Sequence, residues 1–346
     1  MSRKKKKVKC SKSLTNKLDI KISDISSNDI EEYLDLGLLL NGFDFVLSGI
    51  EYVVNDSNPS NKKFAILHLS AGIDIVFKAF LRDFDWTQLY RDTSKADEPS
   101  FKSGEFIGVD SGELRRRLKS ECLVVFTKKQ EKVLKLLRRK RNLIEHYRLK
   151  DSVSSLKTLF ADSLSVLIDF ITENILKEGH PLTEDQRSML ECLKNKSLGF
   201  GEYITKRNQK ISNKLIGKCV VECPSCRQKA LVIDNDTLIC EFCGYMDPDG
   251  FDFIDDYLLN ILEVTKYMCQ KQEQTYPVFD CIDGCGGRMI EGKENFFCIN
   301  CGSIFKNEDV VFCSECNEPY RRLEMNCDLP DPMCDYCYSE LEARFE

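Results

Sequence analysis

At 346 residues the chain can hold more than one domain, and its 42% hydrophobic content suits a protein that buries a core. No stretch approaches the roughly 18 uninterrupted apolar residues of a membrane span; the most apolar one, 36–50, is broken by Asn41 and Asp44. The opening lysines lead into no apolar segment of a secretory signal, so the expected location is the cytoplasm, with no membrane partner.

The formal net charge of -6 conceals a division. From Gly217 onward 26 Asp and Glu face 11 Lys and Arg, leaving residues 1–216 at +9. Within the basic part, 113–150 carries 14 Lys and Arg against four Glu. A polyanion would be drawn there first, although a solvated helical face fits the same pattern.

Residues 1–27 are rich in Lys and Ser and read as a disordered arm. Lys4 to Lys7 suit contact with a nucleic-acid backbone, a solubilising tail, or a nuclear-import signal in a eukaryote. A helical bundle is expected over 28–180. Asn28 with Glu31 has the form of a capping box, and Ile30, Tyr33, Leu34, Val46, Ile50 and Val53 suggest one long or broken helix. A second helix is expected over 61–83, its core face formed by Phe64, Leu67, Ala71, Ile75, Phe77, Lys78 and Leu81. Residues 85–112 read as a polar, protruding connection.

Further helices are expected over 113–126, 130–149 and 153–176, ending before Gly179 and Pro181. A helical connector, 181–216, opens with a second capping-box pattern at Thr183 and Gln186. No strand is expected before residue 217. The expected fold class is mainly α, a helical bundle followed by small β-rich modules.

The last third pairs its cysteines. Cys223 and Cys226 match Cys240 and Cys243; Cys281 and Cys285 match Cys298 and Cys301; Cys313 and Cys316 match Cys334 and Cys337. Two intervening residues, three in Cys281–Cys285, turn both sulfurs of a pair inward, and a hairpin between pairs can complete a tetrahedron, so three structural Zn²⁺ ions are expected. Four thiolates leave no position open for substrate. Gly244 and Gly302 follow their cysteines where a turn needs positive φ. The segment 218–340 resembles three tandem zinc ribbons, divided as 217–250, 276–307 and 308–346, with a helical linker at 251–275. Cys327 falls inside the third loop and leaves its register open. Cys10, Cys122, Cys192, Cys219 and Cys269 read as free thiols. The acidity of this third disfavours nucleic acid and suits a protein trigger or regulator.

Acid/base chemistry concentrates at 138–149, Arg-Arg-Lys-Arg-Asn-Leu-Ile-Glu-His-Tyr-Arg-Leu. Histidine can take and give a proton near neutral pH, and guanidinium suits phosphate oxygens. At 100° per residue Val133, Leu136, Leu137, Leu143, Ile144 and Tyr147 form the core-facing stripe, while Asn142 and His146 share the opposite surface. Lys140 falls inside the stripe, where only snorkelling accounts for it. Arg141 stands about 140° from His146 on an ideal helix. The two converge only through a bent helix, a reaching side chain or a second copy. A surface His146 and an Arg141–Glu145 helix pair fit the same residues. Asp74 and Lys78 read as a helix pair, His68 as a satisfied core histidine, and His180 as a helix-end residue.

The stretch Arg141-Asn142-Leu143-Ile144-Glu145-His146, together with His-Leu-Ser-Ala-Gly-Ile-Asp-Ile-Val-Phe-Lys-Ala-Phe-Leu at 68–81, resembles the HEPN family over about residues 28–178. That resemblance implies metal-independent RNA cleavage by a homodimer with a composite site, in which Arg141 holds the scissile phosphate, Asn142 orients it and His146 transfers protons. It also implies a toxin or antiviral defence effector. The competing expectation is a non-catalytic dimeric adaptor whose ribbons bind a protein partner.

Overall fold

In a computed structural model of the chain, the described residues are 36–234, 237–247, 251–322 and 331–343. The expected arm 1–27, the Asn28 cap, Ile30, Tyr33 and Leu34, and Cys10 and Cys327 lie outside them. The fold class is as expected: helices first, then small antiparallel sheets bearing cysteine clusters. The chain divides into two compact units, one running through Phe160 and including Pro181–Phe200, the other comprising Ala161–His180 and the chain from Gly201.

The first unit is built on a hairpin of α1 (Leu38–Val54) and α2 (Asn61–Phe84). Glycines set their contact. A Cβ on Gly72 would lie 2.5 Å from Val46 Cγ2 and 2.9 Å from Gly42 O, and one on Gly42 would lie 2.8 Å from Val76 Cγ2. Close approach of the two backbones therefore selects the face of α2 carrying Ala65, Ile66, Leu69, Ile73, Val76 and Phe80, all buried. This corrects the stripe expected from large side chains: Phe64 is exposed, Leu67, Ala71, Ile75 and Lys78 are half-buried, and only Phe77 and Leu81 are buried. By length and composition α2 could cross a membrane, yet 61% of its most apolar window is buried.

The connection after α2 is folded rather than an irregular loop. Two 3₁₀ turns, Trp86–Leu89 and Thr93–Lys95, and α3 (Glu98–Ser103) hold an aromatic cluster in which Tyr90 stacks on Phe106 at 4.4 Å. Buried Arg117 on α4 (Ser111–Glu121) secures it, donating to Gln88 O and Tyr90 O at 2.6 Å and to Arg91 O at 3.0 Å. Helix α5 (Lys128–His146) follows, then α6 (Val153–Ile171) and α7 (Glu184–Ser197). Thr183 caps α7 in the expected capping box with Gln186. Helix α2 packs against α4 and α5, and α1 against α7. His68 is held as expected, its Nδ1 2.8 Å from Ser48 Oγ and its ring edge-on to Tyr52.

In the second unit α6 continues through a π turn, Thr172–Leu176, and α8 (Gly201–Leu215) precedes a four-stranded antiparallel sheet: β1 (Cys219–Glu222), β2 (Lys229–Asp234), β3 (Thr237–Cys240) and β4 (Met246–Asp247). The expected linker contains α9 (Phe251–Tyr257) and α10 (Lys266–Gln272). A second four-stranded sheet follows, formed by β5 (Val278–Asp280), β6 (Arg288–Glu291), β7 (Asn295–Cys298) and β8 (Ile304–Lys306). Among its described residues the third module has a two-stranded pair, β9 (Val310–Phe312) and β10 (Pro319–Arg321), and a helix, α11 (Asp335–Glu342).

Candidate functional site

Helix α5 starts at Thr127, whose hydroxyl accepts from Gln130 N while Gln130 Oε1 accepts from Thr127 N at 2.8 Å. It ends at His146, because Tyr147 leaves helical geometry at φ -149° and ψ -120°. Only Leu134 and Leu137 of this helix are buried. Of the expected core stripe only Leu137 is buried. Val133, Leu143 and Ile144 are half-buried, Leu136 is 42% exposed and Tyr147 is 85% exposed. The burial fades toward the motif because the helix emerges from the bundle there. Lys140 finds a partner beyond the helix end, Asp151, at 2.6 Å.

Arg141 and His146 meet on one carboxylate. Glu145 Oε2 lies 3.0 Å from Arg141 Nε and 3.8 Å from His146 Nε2. The expected helix pair is present, and Glu145 also spans the angle that separates Arg141 from His146 on an ideal helix. The His146 side chain is 77% exposed, so its ring is available to solvent or to a partner. Asp74 accepts from the Ser111 hydroxyl at 2.5 Å rather than pairing with Lys78.

Asn142 faces a cleft of about 530 Å³ between the start of α4 and the middle of α5. Arg115, Lys135, Arg138 and Arg139 share its lining. Two of these cations have carboxylate neighbours, Arg115 with Glu131 at 3.5 Å and Arg138 with Asp110 at 3.4 Å. The cleft is therefore open and positively charged, and all four of its cations lie outside the short motif Arg141–His146.

The three expected cysteine sets each converge: Cys223, Cys226, Cys240 and Cys243; Cys281, Cys285, Cys298 and Cys301; Cys313, Cys316, Cys334 and Cys337. In each set the sulfurs lie within 4.8 Å of one another. A tetrahedral ion with metal–sulfur bonds of about 2.3 Å needs sulfurs about 3.8 Å apart. The separations include 3.7 Å for Cys223–Cys243 and Cys226–Cys240, 3.8 Å for Cys281–Cys301 and 3.6 Å for Cys285–Cys298. The three groups can therefore hold metal ions.

The turns explain why these sulfurs point together. Gly244 and Gly302 adopt φ of 70° and 72°, as expected, and Gly286 adopts 78°. Arg227 and Asn317 accept the same left-handed conformation at 58° and 57°, directly after Cys226 and Cys316. Backbone amides also point at sulfur, as with Gly287 N to Cys285 Sγ and Cys334 N to Cys313 Sγ, both 3.4 Å. Burial pushes the Cys313 thiol up, but amides of Cys316, Cys334 and Glu315 outweigh it and lower its pKa to about 6. For Cys301 burial is likewise outweighed, by hydrogen bonds with Ser303, and the value falls to about 7. Such sulfurs give up a proton readily to a bound cation. In the third set, Cys334 caps α11 and Cys337 sits in its first turn. Of the remaining cysteines, Cys122, Cys219 and Cys269 are free as expected, whereas Cys192 is disulfide-bonded.

Arg207 on α8, 2% exposed, was not among the candidate residues. It donates to Phe242 O at 2.9 Å and Glu241 O at 2.7 Å, the two residues between Cys240 and Cys243. It also donates to Ser165 O at 3.2 Å and pairs with Asp169, which Lys210 shares. Burial pushes Asp169 up, but Arg207 and Lys210 outweigh it and hold its carboxyl below the ordinary range. The first cysteine set thus has a buried cation bracing its second turn, the kind of outer contact that orients metal ligands. Compared with protein families, curated proteins and solved structures, the chain matches none.

Proposed function

We propose that this chain is a metal-independent endoribonuclease of HEPN type, acting as a homodimer in the cytoplasm. The observation that carries the reading is the convergence of Arg141 and His146 on Glu145 at the exposed end of α5, with Asn142 lining a basic cleft beside them. In the proposed reaction His146 takes the proton of a ribose 2′-OH, and the freed oxygen attacks the adjacent phosphorus. The bond to the 5′-oxygen breaks, and a protonated His146, from the same or the second copy, returns a proton to that oxygen. The products are a 2′,3′-cyclic phosphate and a 5′-hydroxyl end. Arg141 stabilises charge on the phosphate after exchanging Glu145 for it, and Asn142 orients the phosphate. The exposed Tyr147 and Leu136 on or beside the motif helix support pairing of two copies.

We infer that each cysteine set holds one structural Zn²⁺, which supplies folding free energy to modules with small cores. Among the described residues the third module gathers few buried apolar side chains, Val310 and Met333 beside Cys313 and Cys334. The acidic modules then serve to recognise a protein trigger or regulator of a toxin or defence effector. Incubating total RNA with wild-type, Arg141→Ala and His146→Ala protein tests the reading. Cyclic-phosphate ends should form with wild type alone; cleavage by His146→Ala at the wild-type rate would remove the proposal. The intact Arg141–Glu145 pair also fits a non-catalytic dimeric adaptor. RNA left uncut, with a defined protein bound at the cysteine modules, would favour that second reading.

A further inference from the structure

The cleft between α4 and α5 extends away from the motif, and its charge exceeds what the short motif requires. Lys135 and Arg139 are exposed and form no ion pair among the described residues, whereas Arg115 and Arg138 have Glu131 and Asp110 as neighbours. Lys135, Arg139 and Asn142 lie along α5 over about 10 Å, since the helix rises about 1.5 Å per residue. An anion seated by Lys135 and Arg139 would therefore lie roughly two turns from His146, too far to be the phosphate under attack.

We propose that this cleft is a second phosphate subsite, which holds a backbone phosphate of single-stranded RNA one or more nucleotides from the cleaved bond. The proposal rests on the nuclease reading for its substrate, but its binding prediction does not depend on cleavage. Lys135 and Arg139 make the contacts, with Arg138 and Arg115 contributing field. Their side chains reach from the helix surface into an open cleft, which suits a continuous strand rather than a mononucleotide enclosed on all sides. The consequence is a length requirement: a dinucleoside monophosphate fills the motif site only, while a longer strand gains the second subsite. Base identity is not read here, because the cleft offers cations to phosphate, and such contacts position a strand without selecting its sequence.

The test uses the full chain carrying His146→Ala, with a short fluorescent single-stranded RNA oligonucleotide as probe and a salt titration. The added pair Lys135→Ala and Arg139→Ala should weaken binding by about tenfold or more. The slope of log affinity against log salt should fall by about 0.7, the value for one neutralised phosphate on a single strand. Lys135→Arg with Arg139→Lys should restore most of both. In the catalytically intact chain the alanine pair should raise KM on the oligonucleotide and leave kcat, and cleavage of a dinucleoside, unchanged. Both side chains are exposed, so an unchanged melting curve confirms that the fold survives. Unaltered affinity and slope would overturn the assignment, as would failure of the His146→Ala chain to bind the oligonucleotide at low salt. Should wild type cut no RNA while the alanine pair still loses affinity and slope, the subsite stands and the nuclease reading falls. Should wild type cut RNA while the pair binds as tightly as its parent, the subsite alone falls.

Discussion

Arg207→Ala is expected to be among the most damaging single changes in the second unit. The guanidinium is 2% exposed and serves three backbone carbonyls, Phe242 O, Glu241 O and Ser165 O, besides Asp169. A buried acceptor that loses its donor costs about 1 kcal/mol or more, which makes about 3 kcal/mol for the carbonyls. Breaking a buried ion pair raises the total toward about 3–5 kcal/mol, and Lys210, which stays on Asp169, keeps the loss near the lower end. Two assays separate stability from metal retention. Urea unfolding of the metal-loaded chain should shift by the amount stated, and chelator-driven metal release should accelerate, because outer contacts of this kind are worth about 10- to 100-fold in affinity. Adding Asp169→Ala should recover part of the stability by removing a carboxylate left with Lys210 as its remaining cation. A loss under about 1 kcal/mol with unchanged metal release would refute the reasoning, since both effects are assigned to the same side chain.

Asp169 has a depressed carboxyl pKa, so its stabilising contribution is present above its unfolded value near 3.9 and is lost as pH falls through the lower folded value; acid unfolding of Asp169→Asn should show a weaker pH dependence below about pH 4 than wild type. Gly72→Ala should cost about 1–3 kcal/mol in urea unfolding, because the added methyl meets Val46 and Gly42 at 2.5 and 2.9 Å. Gly37→Ala, where nothing lies within 4 Å, should cost much less, and equal losses at the two positions would discredit the close-packing argument. Metal analysis of purified chain should find three zinc ions, and Cys298→Ser should lower the number by one; full occupancy in that variant would exclude the second set as a metal site. His146→Ala should slow RNA cleavage by about 100-fold or more, read as the initial rate of cyclic-phosphate formation.

Local patterns were legible where the cause is local. The cap at Thr183, the start of α2 at Asn61, and the glycines after Cys243 and Cys301 all follow from residues a few positions apart. Spacing also identified the twelve thiols, because paired cysteines around a hairpin carry their own geometry. The buried face of α2 was misread because nearly every side of that helix is apolar, and the choice falls to glycines on two helices. Asp151 for Lys140, and the knuckle carbonyls for Arg207, lie eleven and about 35 residues away, beyond any periodic signal. Left-handed Arg227 and Asn317 had no glycine to mark them. At the motif, the residue types were legible, but Glu145 as their meeting point and Lys135 as a cleft cation required coordinates.

The division of the chain within α6 bears on how it can be dissected. Cuts that follow composition, after residue 180 or before residue 218, separate Asp169 from Arg207 and Arg207 from the turn between Cys240 and Cys243. A helical fragment made that way carries a stranded carboxylate, and a cysteine-rich fragment loses the guanidinium that braces its first module. Poor solubility or weak metal uptake by such pieces would then report the position of the scissors rather than the properties of the intact protein. A fragment retaining residues 161–217 ahead of the first module keeps those contacts together and is the sounder starting point.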